Sequence, residues 1–246
     1  MRSGDTRRAA VATAALGALL IALPGCGGPG PERRGGAEPR AGGNPADARQ
    51  DSDPTRIPDV GDRLRRRISA DTRQVVAVYG DGRNSAESTV VLYTRHGTTW
   101  DRTGSWPAHN GRTGWTTNHH EGDNRSPVGV FTLSDAGGVL PDPGARLPYT
   151  RSVAFAAPRW WAKSYWHDFD YVIAIDYNRV KGAPPNDPTR PRGRSEGGGI
   201  WLHMDHGSGT SACVSLSRRA MRHLLRTLDP ELRPVVVMGD RADLKA

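Results

Sequence analysis

The chain is 246 residues long, with 34 Lys+Arg against 26 Asp+Glu, a formal net charge of +8 and two cysteines. That length allows one or two domains, but the N-terminal part is too poor in apolar residues to be one, so a single folded domain is expected. The basic excess is nearly all arginine, lysine occurring only at Lys163, Lys181 and Lys245; no basic run is interleaved with aromatics, which excludes nucleic acid as a partner. The balance would suit anionic polymers or lipid head groups, but scattered arginines read first as a solvated surface.

Residues 1–26 predict an export signal. Arg2, Arg7 and Arg8 precede an apolar run, Val11 to Leu23, that is too short to anchor in a bilayer. It ends in Leu23-Pro24-Gly25-Cys26. This ending resembles a bacterial lipobox, which implies that Cys26 is lipidated, becomes the first mature residue and holds the protein on the outer face of the cell membrane. A plain secretory signal is the alternative. Residues 27–58 are rich in Gly, Pro, Ala, Arg and Asp. They bury too little to offset the entropy of ordering and predict a disordered spacer that lets an anchored domain reach into a cell wall.

Residues 59–246 are expected to be the folded domain. Val60, Leu64 and Ile68 recur at four-residue spacing and predict a short helix over 59–69. Short β-type runs follow at 74–79, 89–94 and 99–102, the last two as a hairpin around His96-Gly97, then at 128–133, 152–155, 171–177, 200–203, 214–216 and 234–238. One helix stands out. Ser217 is a good N-cap, Met221, Leu224, Leu225 and Leu228 form an apolar stripe, and Arg218, Arg219, Arg222 and Arg226 cover the other face. Many short strands with Gly/Pro turns and a single clear helix indicate a mainly β domain, an antiparallel sandwich or barrel.

The chemistry concentrates in Gly199-Ile200-Trp201-Leu202-His203-Met204-Asp205-His206-Gly207-Ser208-Gly209-Thr210-Ser211-Ala212-Cys213-Val214-Ser215-Leu216. Two apolar runs enclose a glycine-rich turn with two histidines, an aspartate and the only cysteine of the folded part. A lone cysteine in an exported chain points to a reactive thiol; a small buried hydrophobe is the bland alternative. Cys213 is the candidate nucleophile, and a thiol needs a nearby histidine or other cation to react near neutrality. His203 is the candidate general base or ion-pair partner, and His206 the alternative. Asp205 or a backbone carbonyl is expected to fix the histidine tautomer. The N–H groups of Cys213 and Ala212 are candidate oxyanion donors. Trp201, Asp205, Ser211 and Ala212 make up the candidate substrate-binding and oxyanion set.

A metal site competes with this reading. His203, Asp205 and His206 are zinc-ligand types, as are His119, His120, Glu121 and Asp123, and would suit a zinc-dependent hydrolase. On a strand, however, residues 203 and 205 share a face and 206 does not. No metal or other cofactor is therefore assigned. His119 and His120 read as loop surface, and Glu121-Gly122-Asp123 as a turn. Of the seven tryptophans, Trp160 and Trp161 are candidates for a groove wall, with Tyr149 and Trp166 weaker ones; Asn178 is a lesser candidate for substrate hydrogen bonding.

Three segments, in chain order, resemble the L,D-transpeptidase catalytic domain (YkuD type). They are Glu121-Gly122-Asp123-Asn124-Arg125-Ser126-Pro127-Val128-Gly129-Val130-Phe131, then Tyr171 to Asn178, then His203 with Ser211-Ala212-Cys213-Val214-Ser215. The chain looks like a shorter-turn branch of that family on an actinobacterial-looking lipoprotein. Ser211 stands where the commonest family form has a second histidine, Ala212 where it has glycine, and Ser215 where it has an arginine or asparagine. An arginine there could hold a substrate carboxylate, so substrate positioning is where the chain departs. The resemblance implies acyl transfer on peptidoglycan stem tetrapeptides through a Cys213 thioester, giving 3→3 cross-links. A wall-binding lipoprotein that kept the fold and lost activity is the other reading.

Overall fold

The computed structural model describes residues 53–246. The expected export signal, its Cys26 and the spacer up to residue 52 lie outside the described residues.

The architecture is a closed β-barrel built from short strands, as the apolar runs implied. Strand β1 (Gln74–Gly80) runs antiparallel to β2 (Glu87–His96), which forms a hairpin with β3 (Thr99–His109). Gly97, at φ +61, makes the hairpin turn. The short β4 (Trp115–Thr116) pairs in parallel with β5 (Ser126–Pro127) as a separate ribbon. Then come β6 (Gly129–Gly138), β7 (Tyr149–Arg151), β8 (Val172–Ile175), β9 (Trp201–Met204), β10 (Val214–Leu216) and β11 (Val235–Asp240). The order β11-β1-β2-β3-β10-β9-β8-β6 closes on itself through β11–β6, and β7 lies beside the far end of β6. Closure removes the unpaired edges that an open sheet would expose.

The run Val75 to Tyr79 is apolar at every position because both faces of β1 are covered. Val76 and Val78 point into the barrel core with Val90, Leu92, Leu133, Ile173, Leu202 and Leu216. Val75, Ala77 and Tyr79 pack outward with Val235 and Val237 under Ile57, Val60, Leu64 and Leu244. Those covering residues come from the entry segment, the one-turn helix α1 (Asp62–Arg65) and, with Leu244, from a terminal helix described below. The domain therefore begins before residue 59: Ile57 is buried and the Pro58 carbonyl accepts the Tyr79 hydroxyl. α1 is shorter than the expected helix, yet Val60 and Leu64 are buried on one face as the spacing required.

Helix α2 (Arg218–Thr227) forms as read. Ser217 caps it by accepting from Ala220 N, and Ala220, Met221, Leu224 and Leu225 are buried while the arginines face out. Helix α3 (Arg241–Lys245), capped by the Asp240 carboxylate, supplies Leu244. No helix among the described residues is long and apolar enough to cross a membrane.

Three stretches differ from expectation. β3 runs on to His109 because its outer face is solvated, so no apolar alternation marks it. Residues 152–155 are not a strand: Ser152 Oγ accepts from Ala154 N and winds Val153–Phe155 into a turn of 3₁₀ helix, after the unforeseen β7. β6 extends through polar Ser134-Asp135, where the buried Arg179 guanidinium bonds Asp135, Asp176 and Ser134 and the Ala183 carbonyl. Asn178, at φ +46, ties the following loop: its Nδ2 donates to Gly193 O and Gly197 O, and its Oδ1 accepts from Arg192 N. Its role is to hold this loop, and its side-chain groups are used up there. The loop delivers Gly199 and Trp201 to the start of β9.

Candidate active site

Strands β9 and β10 are parallel neighbours, with Val214 opposite Leu202 and Ser215 opposite His203. Cys213 is the residue before β10 and so lies across from Trp201. The Trp201 N–H donates to Cys213 Sγ at 3.4 Å, and the thiol points to the Gly199 carbonyl at 3.7 Å. His203 is two residues beyond Trp201 on the same face of β9. The Phe169 ring packs edge-on against both, 5.3 Å from each. The turn between His203 and Cys213 thus brings thiol and imidazole to one cavity of about 470 Å³.

The His203 ring is buried, and its Nδ1 lies 2.7 Å from the Met204 carbonyl. A carbonyl only accepts, so Nδ1 carries the proton and Nε2 keeps its lone pair. Of the two devices expected to fix the tautomer, the backbone carbonyl does so and Asp205 does not. β9 ends at Met204, so the alternation that put 203 and 205 on one face stops there. Asp205 turns to the β3 side, where its Oδ1 accepts from His109 Nδ1 at 2.8 Å and from Ser215 Oγ at 2.7 Å. His206 instead folds back: its ring lies parallel to that of His203, with centroids 6.4 Å apart. The proposed zinc donor set is therefore split, and among the described residues no three His, Cys, Asp or Glu side chains are grouped to hold a metal ion.

His206 has a carboxylate that the sequence did not reveal. Its Nδ1 bonds Asp168 Oδ2 at 2.9 Å, Tyr165 covers its ring at 4.3 Å, and its Nε2 is buried without a hydrogen-bond partner. Asp168 belongs to the segment 158–170, which also supplies Trp161, Ala162, Tyr165 and Phe169 to the cavity wall. Trp161 thus forms the expected wall, while Trp160 is 85% exposed. Trp166 faces Arg159 and Tyr149 bonds the Leu140 carbonyl, so neither lines the cavity.

The cysteine turn is fastened from outside by Ser126, the serine of the Ser-Pro-x-Gly-x-Phe segment. Its buried hydroxyl accepts from Gly111 N at 2.9 Å and donates to Ala212 O at 2.6 Å. Thr210 Oγ1 donates to Cys213 O at 2.6 Å. Because a trans peptide holds C=O and N–H on opposite sides, pinning the Ala212 carbonyl also orients the Cys213 N–H. Ser211 lines the cavity, with its hydroxyl accepting from Arg112 at 3.3 Å. Ala212 packs toward the barrel core, and Trp201 serves the thiol through its backbone while its indole bonds the Pro185 carbonyl. Asp123 caps its own turn, accepting from His120 N and Arg125 N, and bonds a buried His119 that is not the surface residue expected.

At Cys213 and His203 the surroundings favour the neutral forms. Burial pushes the Cys213 thiol up to about 11, against the Trp201 N–H, and pushes His203 down to about 4, against the Met204 carbonyl. Burial also lowers His206. Burial and the nearby Asp205 charge raise Asp168 to about 7. For Asp205, burial opposes ionisation, but bonds from Ser215 and His109 outweigh it and hold it below the usual range. Sequence reasoning left His203 as either general base or ion-pair partner; the neutral forms favoured here fit the general base. A group whose acid form is favoured by burial gains reactivity only as pH rises. Alkylation of Cys213 by iodoacetamide, followed by mass spectrometry, is therefore expected to be slower than in the unfolded chain at neutral pH. It should climb about tenfold per pH unit through the alkaline range. A rate plateau in the acid-to-neutral range would reveal a thiolate–imidazolium pair and contradict this.

Comparison with known proteins bears on the same residues. The family described as the L,D-transpeptidase catalytic domain (YkuD) matches residues 69–237. No curated protein matches the chain. Among solved structures, Bdellovibrio bacteriovorus Bd1075 is similar at 16% identity and a TM-score of 0.38, over 68% of this chain and 48% of that one. The chain thus spans about half the length of that protein.

Proposed function

Since this chain belongs to the L,D-transpeptidase catalytic-domain (YkuD) family, we propose that it performs cysteine-dependent acyl transfer on peptidoglycan stem peptides, with Cys213 as nucleophile and His203 as base. The observation that carries this reading is the pairing in one cavity of the Cys213 thiol with an imidazole whose tautomer is fixed by the Met204 carbonyl. A neutral thiol and a neutral imidazole suit general-base attack. The thiol proton moves to His203 Nε2 as sulfur bonds the peptide carbonyl, so a free thiolate never has to persist in a buried site. The Cys213 N–H, oriented by the Ser126 bond to the Ala212 carbonyl, is the proposed donor to the oxyanion, with Ala212 N–H as its neighbour.

The protonated His203 then gives its proton to the leaving amine, and a thioester remains on Cys213. A second amine takes the acyl group. His206, backed by Asp168, stacks beside His203 on the same side of the cavity and disfavours a lasting charge on that ring, so the proton passes on to the leaving amine. By family membership the donor is a stem tetrapeptide cut between its third residue and the terminal D-Ala, and the product a 3→3 cross-link. The Leu23-Pro24-Gly25-Cys26 ending supports attachment through a lipid on Cys26, and residues 27–52 then give the domain reach into the wall.

The test is product analysis. Purified protein incubated with disaccharide-tetrapeptide should release D-alanine and form 3→3 dimers. Release without dimers would make it a hydrolase, and neither product would overturn the reaction.

A further inference from the structure

The cysteine cavity has one permanent cation among its lining residues, and the reaction as derived does not use it. Arg112 sits at the cavity mouth, exposed, between Gly111 and the start of β4. Its backbone is locked to the cysteine turn. Arg112 N donates to Thr210 O at 2.7 Å, and Gly111 and Thr210 form a β-bridge. Gly209 lies so close that an added Cβ would come within 2.6 Å of Arg112 Cα. Gly111 N in turn bonds Ser126 Oγ, the hydroxyl that also holds the Ala212 carbonyl. The Cα of Arg112 is therefore fixed relative to Cys213, and only its side chain is free to adjust.

That side chain is held by a neutral partner, the Ser211 hydroxyl. By contrast, Arg146, Arg179, Arg218, Arg233 and Arg241 each pair with a carboxylate. No other side chain lining the cavity carries a permanent positive charge: the thiol and the imidazoles favour their neutral forms, Trp161 and Phe169 are aromatic, and Asp168 is acidic. Arg112 and His206 line the same cavity. A guanidinium matches a carboxylate with two parallel hydrogen bonds, a geometry lysine does not reproduce.

We infer that Arg112 reads the free terminal carboxylate of the acyl donor, making it the residue that restricts this enzyme to peptides ending one residue beyond the bond attacked by Cys213. This rests on the acyl-transfer reading above. It also answers the departure at Ser215, since a cation missing beside the cysteine in sequence is supplied in space from 101 positions earlier, as counted from Cys213 to Arg112.

The test measures binding rather than turnover, so it stands or falls apart from the reaction. In a Cys213→Ala background, the stem tetrapeptide and the same peptide amidated at its C-terminus are titrated by calorimetry. The acid should bind about ten- to a hundredfold more tightly than the amide, the worth of one charged hydrogen-bonded contact. Added salt should narrow that gap. Arg112→Met should bind acid and amide equally, through loss of the acid's advantage, and Arg112→Lys should restore only part of the gap. A gap that survives in Arg112→Met, or acid and amide binding alike in the parent, would overturn the inference. Unchanged melting of both variants is expected, because the side chain is exposed.

Discussion

Cys213→Ala is expected to abolish transfer, lowering the rate by about 10⁴-fold or more, without loss of fold. The size follows from covalent chemistry: with no sulfur there is no thioester, and the cavity retains only its binding contacts. No other cysteine lies in the described residues. Fold retention follows from what the thiol does structurally. It accepts one backbone N–H and points to one carbonyl, at 3.4 and 3.7 Å. Sulfur bonds of that length are weak, and a small cysteine behaves mostly as an apolar filler. The turn itself is held by Ser126, Thr210 and Asn110 through bonds that alanine leaves in place. A thermal melt within a few degrees of the parent, beside zero dimer formation, is the expected pair of results.

The second large effect is at His203. His203→Gln should lower the rate by about 10³-fold and slow acylation by a carbapenem-type β-lactam in parallel, because both need the thiol proton removed as sulfur attacks. The thiol at about 11 cannot lose that proton unaided near neutrality. The imidazole at about 4 remains a free base throughout the neutral range, ready to accept it. Glutamine has no basic nitrogen, and its amide lies one bond further out than Nδ1. Some stability will go too, about 1–3 kcal/mol, since the ring is buried and its bond is lost or bent. His206→Gln should cost less, because His206 lies a ring further along the stack. The reverse order, with His206→Gln and Asp168→Asn inactive and His203→Gln active, would move the base to the Asp168-backed histidine.

The parts of this site that were legible in sequence are those carried by short segments. Cys213 and His203 belong to one strand–turn–strand unit, so spacing alone announced them. α2 was legible because its apolar stripe repeats with the helical period, and β1 and β11 because both faces are buried. The illegible parts act across the fold. Asp168 reaches His206 over 38 residues of chain, and Arg112 reaches Ser211 over 99; no local pattern marks either. Ser126 was visible as part of a motif, but its bond to the Ala212 carbonyl exists only once β5 and the cysteine turn meet. Asp205 was misplaced by strand alternation because β9 stops one residue earlier. The thiol's resting state was open for a similar reason: proximity to histidine can be read from spacing, whereas the surroundings of the sulfur cannot.

The central claim, a thioester on Cys213, is tested most directly by the mass of the protein caught in turnover. After rapid mixing with stem tetrapeptide and an acid quench, the intact mass should rise by that of the donor minus its terminal D-alanine. The gain should map to the peptide containing Cys213 and disappear on treatment with hydroxylamine. Continued turnover with an unchanged protein mass, or an adduct on any other residue, would contradict it.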